Sequence, residues 1–125
     1  MLFRSFIEAN GNYPMDHIPP VYGKFSIEGH WSRIMGEVFI LMNGRKDSSN
    51  YNLRGEDNQV YSADPQKGFT PAWNTWNAKF TLNINDLYSF QISCENILDR
   101  FYRVFSSGVS GPGRNLMLTV RAKLP

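Results

Sequence analysis

Apolar and polar residues alternate almost without interruption over the last eleven residues of the chain, Asn115–Pro125. The apolar row consists of Leu116, Leu118, Val120, Ala122 and Leu124, and polar side chains fill most of the positions between them. A period of two residues is typical of a β-strand that has one face in apolar and the other in polar surroundings. The segment is close to the roughly 10 residues that a tilted strand needs to cross a bilayer.

Four earlier segments repeat this pattern, so the sequence predicts an all-β protein. The predicted strands are Val21–His30, Ile34–Asn43, Thr75–Asn85 and Tyr88–Glu95. The second is the least regular, because Met35, Phe39 and Leu41 place apolar side chains on its otherwise polar face, which weakens the prediction of its register.

The connections between the predicted strands differ strongly in length. Trp31-Ser32-Arg33 and Asp86-Leu87 form short turns. Gly44–Pro71 and Asn96–Gly113 form long ones, and roughly 25 residues without periodicity are unusual inside a compact soluble domain. Short turns on one side and long loops on the other are typical of outer-membrane barrels. We therefore expect an antiparallel up-and-down meander of about five strands, an arrangement that a transmembrane β-barrel would share.

Aromatic residues fall at both ends of the predicted strands, as in the aromatic girdles of membrane barrels. Trp31 and Tyr88 would lie near the periplasmic side, and five others near the outer side: Tyr22, Trp73, Trp76, Phe101 and Tyr102. The alternative is a soluble antiparallel sheet whose aromatic residues form its core. The alternation by itself does not separate the two.

Composition narrows the function classes. With a net charge of only +2, the chain lacks the excess of basic residues that is typical of nucleic-acid-binding proteins. The single cysteine, Cys94, has no partner for an internal disulfide, and it falls in an apolar row, where a packed or lipid-facing side chain is expected rather than a nucleophile.

The residues offer little for catalysis or metal binding, so we expect no enzyme activity, cofactor or metal. His17, beside Asp16, and His30 have no cysteine or carboxylate at a metal-ligand spacing. The pair Glu56-Asp57 lacks the alternating ligands of a calcium loop. No serine occupies a nucleophile-elbow pattern.

Two adjoining motifs give the chain a family resemblance. They are Asn96-Ile97-Leu98-Asp99-Arg100-Phe101-Tyr102-Arg103 and Ser107-Gly108-Val109-Ser110-Gly111-Pro112-Gly113-Arg114-Asn115. Together they resemble the C-terminal end of TonB-dependent outer-membrane receptors, in which such a segment opens the last strand. Ile18–Gly23, Tyr51–Asn58 and Thr70–Trp73 are similar to Bacteroidetes-type members of that family.

The resemblance implies a role for each row of the strands. The motif residues are Asn96, Leu98, Asp99, Tyr102, Arg103, Gly108, Pro112, Gly113, Arg114 and Asn115. The lipid-facing residues would be Trp76, Ala78, Phe80, Leu82, Ile84, Phe90, Ile92, Cys94, Leu116, Leu118, Val120, Ala122 and Leu124. The lumen-facing residues would be Asn77, Lys79, Thr81, Gln91, Ser93, Glu95, Thr119 and Arg121. In the intact protein we expect this row to pack against a plug domain.

The resemblance also implies a location and partners. The intact protein would lie in the bacterial outer membrane, contact lipid and its own plug domain and remaining strands, and work with the TonB complex. It would take up a scarce nutrient such as a siderophore, a cobalamin or a glycan. The sequence departs from the family by ending on Leu124-Pro125 rather than on an aromatic residue. It also lacks the plug and most of a barrel of about 22 strands.

The first five residues, Met1-Leu2-Phe3-Arg4-Ser5, have a separate interpretation. They are what GTG-CTC-TTC-CGA-TCT encodes when GTG is the start codon, and those bases resemble the end of a common sequencing adapter. We interpret residues 1–5 as non-native and residues 6–125 as a C-terminal fragment of a receptor barrel. The first and last strands of such a fragment would lack partners, so we expect the expressed protein to be insoluble unless detergent is present.

Two alternatives remain open at this stage. One is a free-standing soluble β-sandwich that binds carbohydrate through Trp73, Trp76 and Tyr51. The other is a small outer-membrane barrel enzyme, which would need a Ser/His/acid cluster that the sequence does not offer. Detergent dependence separates the sandwich from both membrane proteins.

Overall fold

The computed structural model describes residues 6–8, 12–14, 18–47, 50, 69–105, 107 and 109–123. Several predicted features lie outside these ranges: the adapter-like residues 1–5, Asp16 and His17, and the motif that contains Tyr51 and Glu56-Asp57. Gly108 and Leu124 also lie outside the described residues.

The described chain is all-β, as predicted, and five of its strands form one antiparallel sheet. Strands β1 (Phe6–Glu8) and β2 (Asn12–Pro14) pair with each other. The next strands are β3 (Tyr22–Trp31), β4 (Ile34–Asn43), β5 (Lys46–Asp47), β6 (Phe69–Thr70), β7 (Trp73–Asn83), β8 (Tyr88–Glu95) and β9 (Asn115–Ala122). The large sheet has the order β3-β4-β7-β8-β9, and β5 pairs with β6.

The predicted strand limits hold for β4 and β8 and shift slightly elsewhere. Strand β3 begins and ends one residue later than predicted. The turn to β4 therefore consists of Ser32-Arg33 alone, and Ser32 has a φ of 53°. Strand β7 begins and ends two residues earlier than predicted. Its end is set by Asn85, whose Oδ1 accepts the N–H groups of Leu87 and Tyr88, at 2.9 Å each, and so turns the chain.

The pairing of the last three strands sorts their side chains onto two faces. Ala78 pairs with Cys94 and Cys94 with Leu116, while Phe80 pairs with Ile92 and Ile92 with Leu118. Because directly paired residues share a face, these residues form one apolar surface. The opposite face carries the sets Lys79–Ser93–Met117, Thr81–Gln91–Thr119 and Asn83–Ser89–Arg121. The predicted separation of the two rows is therefore present in the sheet.

The chain divides into two compact units, and the five-stranded sheet belongs mainly to the one formed by Gly23–Met42, Asn74–Tyr102 and Gly111–Pro125. In the other unit, Gly44 donates its N–H to Val21 O at 2.6 Å, and Lys46 Nζ donates to Ile18 O. Lys46 Nζ also lies 4.6 Å from the Phe105 ring. These contacts hold short, irregular segments together through hydrogen bonds and cation–π attraction.

Within the described ranges, the chain has no helix with the length and apolar character needed to cross a membrane.

Candidate functional site

Polar side chains occupy the most buried positions of the five-stranded sheet. Thr75 and Asn77 are each 2% exposed, and Asn96, which follows β8, is 1% exposed. Glu37 and Ser93 are buried as well. Polar groups removed from water need hydrogen-bond or ionic partners, and Glu37, Asn77 and Asn96 have them.

The apolar face shows the opposite behaviour. Leu116 and Leu118 are 69% and 71% exposed, and Phe80, Phe90 and Ile92 are also exposed. Among the described residues predicted to face lipid, Ala78 and Cys94 alone are half-buried. Full burial of one large apolar side chain contributes about 1.5–3 kcal/mol, so leaving a whole row in water forgoes a large part of the folding free energy.

A charged cluster joins three strands on the polar face. The Glu37 carboxylate on β4 accepts from Lys24 Nζ of β3 at 2.7 Å and from Lys79 Nζ of β7 at 2.6 Å. Lys24 Nζ also lies 4.3 Å from the centre of the Phe39 ring. Lys79 was predicted on the polar row, but its ion pair with Glu37 was not predicted, although opposite charges on one face of neighbouring strands are a usable signal.

A second polar network links the sheet to the segment after β8. Asn77 Nδ2 donates to Thr75 O at 3.1 Å and to Phe39 O at 3.3 Å, and Asn77 Oδ1 accepts the backbone N–H of Asn96 at 3.0 Å. Further along the face, Thr81 Oγ1 donates to Gln91 Oε1 at 3.4 Å. Hydrogen bonds therefore continue across β4, β7 and β8 on the face predicted to line the lumen.

The family-like motif forms a compact structure that we call the β8–β9 corner, comprising residues 96–102 and 111–114. Asn96 and Asp99 have φ values of 49° and 51°, in a region that asparagine and aspartate tolerate better than most residues. Asn96 Nδ2 donates to Arg100 O at 2.8 Å and to Pro112 O at 3.1 Å, while Asn96 Oδ1 accepts from Arg100 N at 2.9 Å. Asn96 therefore caps this turn through side-chain-to-backbone hydrogen bonds.

The second half of the corner needs its glycines for close approach. Asp99 Oδ1 accepts the N–H of Arg114 at 2.8 Å, and a Cβ on Gly113 would lie 2.8 Å from that same oxygen. Gly111 donates its N–H to Tyr102 O at 2.8 Å, and a Cβ on Gly111 would overlap the Tyr102 ring. Burial, and after it the charge of Glu95, raises the pKa of the Tyr102 phenol above its ordinary value of 10.0.

The structure thus brings most of the predicted motif residues into one cluster. Arg114 Nε donates to Ile97 O at 2.9 Å, so this exposed guanidinium ties the two arms of the corner together. Asn115 opens β9 opposite Glu95. Leu98 is exposed and Arg103 half-buried. The packing of Gly111 on Tyr102 was not predicted, because nothing in the local sequence reveals which ring covers the glycine.

Other candidate groups remain apart. His30 contacts Glu28 on the exposed edge strand β3. Cys94 is a free thiol, half-buried in the apolar row. Within the ranges that the structure describes, no group of three His, Cys, Asp or Glu side chains lies close enough to hold a metal ion.

Comparisons with known proteins add no relative. No protein-family model, no curated protein and no solved structure matches this chain.

Proposed function

We propose that this chain forms part of the membrane-spanning wall of an outer-membrane β-barrel. The observation that supports the proposal is the inverted distribution of burial across the five-stranded sheet: Asn77 and Glu37 are buried, while Leu116 and Leu118 are exposed. Water favours the reverse arrangement, whereas a bilayer on one side and a polar lumen on the other favour this one.

The dimensions of the sheet agree with this proposal. Its strands are 8 to 11 residues long, close to the roughly 9–11 residues of a tilted membrane strand. Trp31 and Tyr88 lie exposed at one set of strand ends, and Tyr22 lies exposed at the other. Aromatic rings at the two levels where a bilayer meets water would anchor the sheet at a fixed depth.

The full proposal is a wall segment of a TonB-dependent receptor that takes up a scarce nutrient. It rests on the motif resemblance, whose residues lie together in the β8–β9 corner: Asn96 Nδ2 donates to Pro112 O, and Asp99 Oδ1 accepts from Arg114 N. The lumen-facing row would then pack against a plug or line the ligand path, and no covalent chemistry is required.

A lipid-contact experiment tests the membrane proposal. In a Cys94→Ala background, Ile92→Cys on the apolar face and Gln91→Cys on the polar face are labelled with a fluorophore after refolding into lipid bilayers. We expect quenching by spin-labelled acyl chains at position 92 and little at position 91. The two sites are neighbours on β8, so they differ mainly in the face they occupy.

The opposite result has a definite meaning. A chain that folds cooperatively in buffer, with equal quenching at both positions, contradicts the membrane proposal and favours the soluble carbohydrate-binding sandwich. That sandwich would need a second layer over the apolar face. Of its proposed ligand residues, Trp76 is exposed on this face and Trp73 is half-buried, while Tyr51 lies outside the described residues.

The receptor assignment needs a different test, because lipid contact alone does not identify a transporter. Source DNA read upstream of the Phe6 codon should continue in frame through further alternating strands to a plug-domain sequence. A native start codon with a ribosome-binding site immediately before these residues would contradict both the receptor assignment and the adapter interpretation of residues 1–5.

A further inference from the structure

An asparagine followed by a glycine stands where β4 ends. Asn43 is the last residue of the strand, and Gly44 follows it. Because glycine has no side chain, nothing shields its backbone nitrogen from the side-chain amide carbon of the asparagine before it, and the backbone can bring the two together. Asparagine is therefore prone to lose ammonia in this dipeptide, which makes Asn43 a candidate for spontaneous deamidation.

Deamidation at this pair needs only water. The backbone nitrogen of Gly44 gives up its proton and attacks Cγ of Asn43. The bond between Cγ and Nδ2 breaks, and Nδ2 leaves as ammonia together with one proton. Water then opens the resulting succinimide ring, leaving aspartate at position 43 when it attacks the side-chain carbonyl and isoaspartate when it attacks the main-chain carbonyl. The net reaction consumes one water molecule and releases one ammonia, with no oxidation or reduction.

The folded chain holds both reacting groups in other contacts. Gly44 donates its N–H to Val21 O at 2.6 Å, so the attacking nitrogen keeps its proton. Asn43 Nδ2 donates to Gly44 O at 3.2 Å, and Asn43 is only 7% exposed, which restricts the access of water. The attack requires the hydrogen bond from Gly44 to Val21 to break. The reaction therefore proceeds from the fraction of molecules in which this pairing is open.

We propose that Asn43-Gly44 is a deamidation site that the Val21–Gly44 pairing keeps closed and that local opening of this pairing releases. The products make the opening permanent. Aspartate replaces the Nδ2 donor with a carboxylate oxygen that faces Gly44 O, so a hydrogen bond becomes a repulsion. Isoaspartate adds one carbon to the backbone before Gly44, which moves the Gly44 N–H away from Val21 O. The inference does not depend on what the apolar face of the sheet contacts.

Peptide mass spectrometry after incubation in mildly alkaline buffer tests the proposal. The full chain is incubated folded, in the detergent or buffer that supports its sheet, and unfolded in urea. We expect aspartate and isoaspartate at position 43 to form at least about tenfold more slowly in the folded chain, because the rate follows the open fraction. Asn10-Gly11 is the same dipeptide and serves as the reference in urea, where both asparagines should react at similar rates.

A variant that loosens the pairing without changing the dipeptide provides the second measurement. Lys46, two residues after Gly44, donates from Nζ to Ile18 O, three residues before Val21, and so joins the same two segments. Lys46→Met should accelerate deamidation of the folded chain about threefold to tenfold, because a charge-assisted hydrogen bond beside the pairing is lost. Lys123→Met, at an exposed position, is the matched control and should leave the rate unchanged. In urea, both variants should react like the parent chain.

Three results would overturn the proposal: equal rates at position 43 in the folded and the unfolded chain, no reaction at position 43 in urea while position 10 reacts, or equal folded-state rates in Lys46→Met and Lys123→Met. Circular dichroism verifies that each variant retains its sheet. The deamidation rate reports on one backbone pairing, whereas the lipid-quenching experiment reports on the faces of the sheet. Failure of this inference is therefore distinguishable from failure of the membrane proposal.

Discussion

At the scale of single residues, an asparagine organises the β8–β9 corner. Asn96 is buried, adopts a positive φ, and has every polar atom of its side chain hydrogen-bonded to the backbone of Arg100 or Pro112. Its backbone N–H is held by Asn77. One residue therefore connects the sheet to both arms of the turn that precedes β9, and its removal takes three side-chain hydrogen bonds from the backbone of that turn.

Asn96→Ala should lower the free energy of unfolding by about 2–4 kcal/mol, because it removes three part-buried hydrogen bonds, each with a net contribution of about 0.5–1.5 kcal/mol. Asn83→Ala, at an exposed position in β7, is the control and should change stability by less than about 0.5 kcal/mol. Urea unfolding in the detergent or bilayer that supports the folded sheet gives both values. Equal effects would show that Asn96 is not a central element of the corner.

Gly111→Ala should cost about 1–3 kcal/mol, because the added methyl group overlaps the Tyr102 ring and forces the corner apart. Gly36→Ala is the control, since a Cβ at that strand position meets no atom within 4 Å. Adding Tyr102→Ala should remove most of the difference between the two glycine variants. Additive effects of Gly111→Ala and Tyr102→Ala would contradict the proposed overlap.

The Tyr102 phenol gives a pH-dependent prediction. Its pKa is raised, first by burial and then by Glu95, so the folded state holds the proton more strongly than the unfolded state. The resulting stability is fully present below the ordinary tyrosine pKa of about 10 and is lost as the pH rises through the folded pKa. The absorbance of the parent chain is titrated at alkaline pH, and the titration of Tyr102→Phe is subtracted. The difference should show that the Tyr102 phenol ionises above pH 10, and Glu95→Gln should lower the pH at which it ionises.

At the scale of elements, β4 illustrates how one charged residue settles an ambiguous strand. Met35, Phe39 and Leu41 make both of its faces partly apolar, so hydrophobic alternation specifies its register poorly. A shift of one residue would turn Glu37 away from Lys24 and Lys79 and place its carboxylate on the apolar face. The two ion pairs therefore favour the observed orientation.

Glu37→Gln should lower the urea midpoint of unfolding, because it removes the anion that accepts from two ammonium groups, Lys24 Nζ and Lys79 Nζ. Glu28→Gln, at an exposed position on β3, should cost less than about 0.5 kcal/mol. Removing Lys79 as well, in Glu37→Gln/Lys79→Met, should recover part of the loss. A double-mutant cycle without coupling between Glu37 and Lys79 would contradict this role.

At the scale of the whole molecule, the two faces of the sheet should respond oppositely to charge. Ile92→Arg places a guanidinium at the centre of the proposed lipid face and should cost about 2–4 kcal/mol in a bilayer. Gln91→Arg, one residue away on the polar face, should cost less than about 1 kcal/mol. Unfolding titrations in lipid vesicles measure both, and a smaller penalty at position 92 than at position 91 would argue against lipid contact.

Much of this architecture could be predicted from local pattern. The limits of β4 and β8 agreed with the alternation, and the paired residues of β7, β8 and β9 fall on the predicted faces. The predictions were less accurate at strand ends, because there side-chain hydrogen bonds such as those of Asn85 decide where the chain turns. The short pairings β1–β2 and β5–β6 were not predicted, since strands of two or three residues have no periodicity to detect.

The sequence by itself determined the fold class and the separation of apolar from polar rows, because both follow from the two-residue period of a strand. The tertiary structure decided which polar side chains meet and which face is buried. Glu37 joins Lys24, 13 residues away, and Asn96 reaches Pro112, 16 residues away. Such contacts depend on the order and register of strands, which place residues distant in sequence within hydrogen-bonding distance.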